Sequence, residues 1–219
     1  MRRITGAVFQ SLDGVMQAPG APEEDRSGGF ALGGWLAGFY DEEFGEELDR
    51  LFSSPFDLLL GRRTYDIFAA YWPHNQDNPV GASFQRANKY VLTHSEAPLE
   101  WDNSHRVGSI DALAKLKQGD GPDLIIQGSS TLYPQLLEAK LIDRLILMTF
   151  PLVLGKGKRL FGEGTPPRAM RMVEQRITRI GTIIATYEPA GSVKTGTFAT
   201  KEPSKAELER REKIEQGAW

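Results

Sequence analysis

The chain has 219 residues, 40% hydrophobic and 25% charged, an ordinary globular composition long enough for one sizeable domain, or one domain plus an appendage. Its 26 Lys and Arg against 29 Asp and Glu leave a net charge of −3, which gives no global electrostatic reason to expect nucleic acid or an anionic membrane as partner. With no cysteine and only three histidines, His74, His94 and His105, disulfides, thiolate metal sites, iron–sulfur clusters and cysteine nucleophiles are excluded, and no metal site is expected.

The first segment, Arg3–Phe9, is short, apolar and strand-like. It leads into an Asp13-Gly14 turn. Residues 17–34 carry Pro19, Gly20, Pro22, Gly28, Gly29, Gly33 and Gly34 and read as a long loop of the kind that tends to be functional or disordered. From Asp41 to Phe52, Phe44, Leu48, Leu51 and Phe52 recur at helical spacing among acids. Phe56–Gly61 reads as a buried strand and Arg62–Tyr71 as the helix after it. A loop over 73–88 precedes a strand at Lys89–Thr93. A weaker strand at His105–Gly108 and a helix at Ser109–Lys117, opening at a Ser/Asp cap, come next. The clearest unit is strand Asp123–Gln127, turn Gly128–Thr131 and helix Leu132–Ala139. Ile142–Phe150 returns as a strand. After a loop at 151–167, Met170–Ile177 and Thr182–Tyr187 read as an antiparallel pair closing the sheet. No apolar run approaches the roughly 18 residues of a membrane span, and the start lacks a signal-peptide apolar region. A cytoplasmic protein is the expectation.

Strands alternating with helices predict an α/β sheet with helices on both faces. The regular pattern spans 1–189. Beyond it, 190–219 reads as a charged tail, either flexible or forming a short exposed helix from the capping box at Ser204–Glu207.

Two strand-to-helix turns can carry chemistry. In Gly61-Arg62-Arg63-Thr64-Tyr65, a glycine at the strand end lets a ligand approach the backbone, and the following helix offers N–H donors to an anion. Arg62 and Arg63 can add charge-assisted bonds to a phosphate, or they can be solvated charges on an ordinary turn. Gln127-Gly128-Ser129-Ser130-Thr131 suits phosphate oxygens for the same reasons, or Ser129 or Ser130 can simply cap the helix. Two such turns at corresponding strand ends reinforce each other, because ligands of open α/β sheets lie beyond the carboxyl ends of the strands. Val91–Ser95 ends a third strand with polar side chains. Competing motifs are absent: there is no G-x-G-x-x-G, Walker A loop, G-x-S-x-G or H-E-x-x-H. Asp41, Glu42, Glu43, Glu46, Glu47 and Asp49 can supply a general acid, but such a run is more often a solvated helix face.

The ordered set Ser11-Leu12-Asp13-Gly14-Val15-Met16, Gly33-Gly34-Trp35, Leu59–Tyr65, Lys89–Thr93, Gln127–Leu132 and Pro151–Gly157 resembles the dihydrofolate reductase-fold family. Within it, the chain is most similar to the reductase domain of bifunctional riboflavin-biosynthesis deaminase-reductases and their stand-alone relatives. The likeness covers about residues 3–187. It implies a three-layer α/β/α fold around an eight-stranded, mostly parallel mixed sheet, with an NADPH site across it. On that likeness Gly61, Arg62 and Thr64 hold cofactor phosphates. Thr93 and His94 lie near the 2′-phosphate. Gln127, Gly128, Ser129, Ser130, Thr131 and Leu132 form the turn under the pyrophosphate. Val8, Phe9, Ser11, Asp13 and Met16 line the nicotinamide pocket.

The likeness further implies a homodimer and a small-molecule substrate, with a 5-amino-6-(5-phosphoribosylamino)uracil-type heterocycle the first to try. Arg62 favours NADPH over NADH, because a 2′-phosphate suits an arginine fork. Folate reductases place an acid on the first helix; here the matching position falls near Gly45, with Glu46 beside it. Asp13, Glu46 or water are the candidate proton sources. Trp35 and the 17–34 loop shape the substrate side, and Lys156, with Lys158 and Arg159, can meet a ribose phosphate or equally be solvated loop charges. The alternatives are a dihydrofolate reductase-like activity or a nucleotide-binding protein of the same fold without catalysis.

Overall fold

The computed structural model describes residues 1–218. Phe56–Gly61 (β2) is buried at every position, as an interior strand covered on both faces must be. Ile4–Ser11 (β1), Asp123–Gln127 (β5) and Arg144–Phe150 (β6) form the rest of the sheet centre. Lys89–Leu92 (β3) and Ser104–Val107 (β4) extend it on one side. Met170–Ile177 (β7) and Ile183–Pro189 (β8) extend it on the other. The eight strands run in the order β4-β3-β2-β5-β1-β6-β8-β7. Only β8 opposes the rest: it is antiparallel to both β6 and β7, and every other pair is parallel. The sheet is thus mixed and mostly parallel, with helices on both faces.

One face carries Glu42–Phe52 (α1), Arg62–Tyr71 (α2) and Pro79–Arg86 (α3), which bury Phe44, Tyr65 and Phe84 against Leu58, Leu60 and Val91. The other carries Ile110–Gln118 (α4) and Leu132–Glu138 (α5), whose Leu113, Leu132, Leu136 and Leu137 pack on Ile4, Val8, Leu124 and Ile126. The caps are local: Asp41 accepts from the Phe44 amide, Ser109 from Ala112 and Ser204 from Glu207. The last of these opens Lys205–Glu215 (α6), which buries no residue.

Three details depart from the sequence reading. The 73–88 segment contains α3, held by the Asn78 cap and Pro79 in its first turn. At its far end the buried Lys89 ammonium donates to the carbonyls of Phe84, Gln85 and Ala87 and lies 4.2 Å from the Trp101 ring centroid. β1 continues two residues further, to Ser11, because β6 pairs with it as far as Phe150. β6 starts at Arg144, since Leu141 and Ile142 are core residues ahead of the ladder.

Tyr133 of α5 lies directly over Gly6. A Cβ built on Gly6 would sit 2.6 Å from the Tyr133 ring and 2.8 Å from Leu145, so only glycine fits there. The Tyr133 hydroxyl is buried without a hydrogen-bond partner, and burial pushes its pKa up. Tyr133→Phe is expected to raise stability by about 1 kcal/mol, because it removes an unpaired buried polar group and little volume. Urea unfolding checks this; a lower midpoint would show that the hydroxyl is satisfied.

Candidate active site

The connection after β1 carries α1 over one face, while that after β5 carries α5 over the other. β1 and β5 are neighbours. Their carboxyl ends therefore bound the crevice where open α/β sheets take ligands. The Gly61 and Gly128 turns stand at the ends of the adjacent strands β2 and β5.

The two turns interlock. The Gly61 amide donates to Ser129 Oγ (2.8 Å), and the Ser129 amide donates to Thr64 Oγ1 (3.1 Å). Gly128 and Ser129 are both left-handed, with φ of 78° and 59°. Glycine meets that requirement freely at 128, whereas Ser129 is strained and held by these two bonds. The interlock thus uses the Gly61 and Ser129 amides as donors and the Ser129 and Thr64 hydroxyls as acceptors, and the remaining backbone N–H groups of the two turns are the candidate donors for a ligand. Gln127, just before the turn, is buried with its Oε1 unpartnered. Leu132 is buried in the core under α5, and Ser130 and Thr131 stand between it and the turn.

Arg62 opens α2. Its Nε pairs with Asp66 at 2.9 Å, and its guanidinium donates to the Ala97 carbonyl at 2.8 Å. Thr93 is buried and its Oγ1 accepts from the Ser95 amide; His94 is exposed.

On the α1 face, Phe9 meets Phe44 edge-on at 5.5 Å, and Phe150 contacts Phe9, Trp35, Phe39 and Phe44. Trp35 is fixed by its Nε1 donating to the Gln17 carbonyl at 2.8 Å. Val8 and Met16 turn to the opposite face and belong to the core under α5. On the α1 face they present their backbone alone.

Asp13 stands where the loop after β1 meets the 154–159 turn. Its carboxylate accepts from Ser11 Oγ (2.6 Å), the Leu154 and Gly155 amides (3.0 and 2.9 Å) and Arg159 (3.1 Å). The Ser11 hydroxyl first, then the Leu154 and Gly155 amides, hold its carboxyl well below the usual carboxylate range. A carboxylate so held carries no proton near neutral pH, so Asp13 clamps the loop after β1 to the 154–159 turn and is a poor proton donor. Lys158 strengthens the same junction through an ion pair with Asp25 and a bond to Ser27. Lys158 and Arg159 are thus committed to structure, and Lys156 is exposed. Glu46 faces away from the crevice: it pairs with Arg176 of β7.

Sequence reasoning missed three residues. Gln17 knits the long loop, accepting from the Lys158 amide and donating to the carbonyls of Asp25 and Ser27. The Tyr40 hydroxyl lies 3.1 Å from where a Cβ on Gly45 would stand, so it covers the helix position where folate reductases place their acid. Arg106 of β4 reaches the same Ala97 carbonyl as Arg62. Nothing in composition or spacing marks these; each depends on a tertiary contact, across 141 residues for Gln17 with Lys158 and through a local turn of the backbone for Tyr40 and Arg106. Among the described residues, no group of three or more His, Cys, Asp or Glu is placed to hold a metal ion, and no helix is long and apolar enough to cross a membrane.

Comparison with known proteins fits this geometry. Among solved structures, a riboflavin biosynthesis protein from Shewanella sp. PV-4 superposes with a TM-score of 0.60 at 22% identity, covering 86% of this chain and 99% of that one. Dihydrofolate reductase from Enterococcus faecalis, complexed with NADP(H) and RAB-propyl, gives 0.53 at 15% identity, covering 85% and 96%. A pyrimidine reductase-like protein from Corynebacterium diphtheriae gives 0.53 at 14%, covering 86% and 92%. These likenesses show the fold. Two Bacillus subtilis (strain 168) proteins without assigned function are similar in sequence. YyaP is 27% identical over 137 residues, 59% of this chain and 72% of its own length. YwjB is 29% identical over 119 residues, 52% and 63%. The family model for the RibD C-terminal domain matches residues 2–186, and the chain belongs to that family.

Proposed function

We propose that the chain is an NADPH-dependent reductase of a small heterocyclic or ribosylaminopyrimidine-type substrate. The observation that carries this is the pair of interlocked glycine turns at the carboxyl ends of β2 and β5, on the β5 side of the β1/β5 crevice. They suit a dinucleotide: backbone donors at two strand ends for its phosphates, Arg62 at the first turn of α2, and an unpartnered buried acceptor, Gln127 Oε1, that fits a ligand bringing N–H donors. When bound, NADPH supplies the hydride. The residues of this chain orient and exclude water: Gly61, Arg62, Gly128 and Thr131 on the cofactor side, Phe9, Trp35 and Phe150 on the substrate side. Lys156 is the cation available to a substrate phosphate. The family membership and the NADP(H)-bound fold neighbour support the cofactor. Gly45 and the outward-facing Glu46 favour a substrate other than dihydrofolate, because no carboxylate stands at the helix position a pterin needs.

Calorimetric titration with NADPH and NADH tests the proposal. The expected result is NADPH binding at about micromolar Kd, or −8 kcal/mol, clearly tighter than NADH. No binding of either at about millimolar concentration would overturn it.

A further inference from the structure

α2 carries two small residues on one flank. Ala69 and Ala70 stand one turn beyond Tyr65 and Asp66, on the same face of the helix. Across from them passes the end of the segment that links β3 to β4. Between these walls lies a cavity of about 460 Å³ that runs along α2 from Arg62 to Pro73, a size that suits a small molecule. Its floor is Tyr65 and Trp101, which are 2% and 5% exposed with ring centroids 6.4 Å apart. The polar atoms of the floor are engaged with one another. The Trp101 amide donates to the Tyr65 hydroxyl (2.9 Å), the Trp101 indole N–H donates to Gln85 Oε1 (2.6 Å), and the Gln85 side-chain amide donates to Asp102 (3.0 Å). The floor thus offers a ligand apolar ring surface, and the chain of bonds ends by fixing a carboxylate.

The charges around this cavity are unequal. Three carboxylates line it, Asp66, Glu100 and Asp102, with one cation, Arg62. Arg62 is spent on Asp66 (2.9 Å) and the Ala97 carbonyl (2.8 Å). The other cation at hand is Lys89, whose ammonium lies against the Trp101 ring and donates to three backbone carbonyls. Three acids against two committed cations leave one negative charge without a partner. We infer that the cavity binds a small organic monocation, a protonated amine on a flat apolar body, with the body on Tyr65 and Trp101 and the ammonium at Glu100 and Asp102. A free amine fits better than a side chain of a partner protein. Between residues 41 and 152, Tyr71 is the one strongly exposed large hydrophobic residue, whereas a protein-docking surface needs an apolar centre around its anchor. The cavity stands on the β2 and β3 side of the sheet, away from the β1/β5 crevice, and its ligand is independent of whether the chain is a reductase.

The test titrates the full chain with three probes that share one body and differ in charge: 2-phenylethylamine, 2-phenylethanol and phenylacetate. The readout is the indole N–H signal of Trp101 in a proton–nitrogen NMR spectrum, identified by its loss in Trp101→Phe. The amine is expected to move that signal saturably, with a Kd of about 1 mM or tighter. It should bind about fivefold or more tighter than the alcohol, with phenylacetate weakest, and raising the salt from about 0.05 to 0.5 M should weaken the amine alone. Glu100→Gln should reduce the preference of amine over alcohol by about threefold. Ala70→Leu, at an exposed position that fills the cavity, should weaken amine and alcohol alike by about tenfold. Melting curves verify that both variants fold. Equal affinity for amine and alcohol, a response that ignores Ala70→Leu, or a Trp101 signal unmoved by the amine at about 20 mM would each overturn the inference. None of these results bears on NADPH binding, so the reductase reading stands or falls separately.

Discussion

Asp57→Ala is expected to destabilise the fold by about 3–5 kcal/mol, the largest single-residue effect we anticipate. Asp57 and Arg2 form an ion pair whose side chains are 4% and 2% exposed. Breaking such a pair leaves a charge buried without its partner, which costs more than the pair itself contributes. Here the damage spreads. Asp57 Oδ1 also accepts from the Asn88 amide (3.0 Å) and side chain (2.9 Å), and the Arg2 guanidinium stacks 5.1 Å over the Tyr90 ring. One carboxylate thus ties together the amino-terminal ends of β1, β2 and β3. The double variant Arg2→Met/Asp57→Leu should recover part of the loss, because no charge is stranded, though Asn88 still loses its acceptor. Urea unfolding of all three proteins measures this. A loss below about 1 kcal/mol for Asp57→Ala would mean the pair is hydrated. The network lies at the end of the sheet opposite the crevice, so NADPH affinity of the folded Asp57→Ala protein should be unchanged.

The second large effect is at Asp13. Asp13→Ala removes the acceptor for Ser11, two backbone amides and Arg159 at once. Its side chain is 21% exposed, so water replaces some of these bonds, and about 2–3 kcal/mol is expected, less than for Asp57. The loop from Leu12 to Met16 then loses its anchor to the 154–159 turn, and NADPH affinity should fall about tenfold. The pH dependence separates this clamp from a catalytic acid. A carboxyl held below its unfolded value contributes stability that is full above the unfolded pKa of about 3.9 and is lost as pH falls below it. Wild-type stability should therefore drop more steeply than that of Asp13→Ala as pH is lowered from about 5 to about 2.5. Parallel slopes would remove Asp13 from this role.

How far the sequence discloses this molecule follows from the range of the forces involved. β2, α2, β5 and β7 run where their patterns end, because an unbroken apolar run, a glycine or a polar turn marks each boundary locally. The segment holding α3 carries Pro79, Gly81 and several polar residues, which read as loop. Its helix depends on Phe84 burying against Phe52, Phe56 and Phe68 and on the Lys89 ammonium at its end, none of it visible in an eight-residue window. The glycines of the two turns were legible as punctuation. That Thr64 and Ser129 would spend their contacts on each other was not, since they are 65 residues apart. Asp13 looked like an acid in a pocket until its donors arrived from a turn 141 residues on. Arg106 carries no mark in the sequence, because its partner, the Ala97 carbonyl, is a backbone atom with no signature.

The strand order has a consequence for the nascent chain. β1 is made first, yet its two neighbours are β5 and β6, and its first ladder partners lie 120 and 139 residues downstream (Ile4 with Leu124, Thr5 with Arg144). While the ribosome extends the chain as far as Leu124, a little over half of its length, both edges of this apolar strand have no native partner, and the β6 edge waits until Arg144. β2 and β3, by contrast, can pair as soon as residue 92 has emerged. The early product is a half-sheet of β2, β3 and β4 with α2 and α3 on it, and β1 docks only after β5 exists. Because such long-range pairing is slow and leaves strand edges open to other chains, the yield of folded protein in a cell should depend on holdase chaperones during synthesis far more than refolding of the finished chain does.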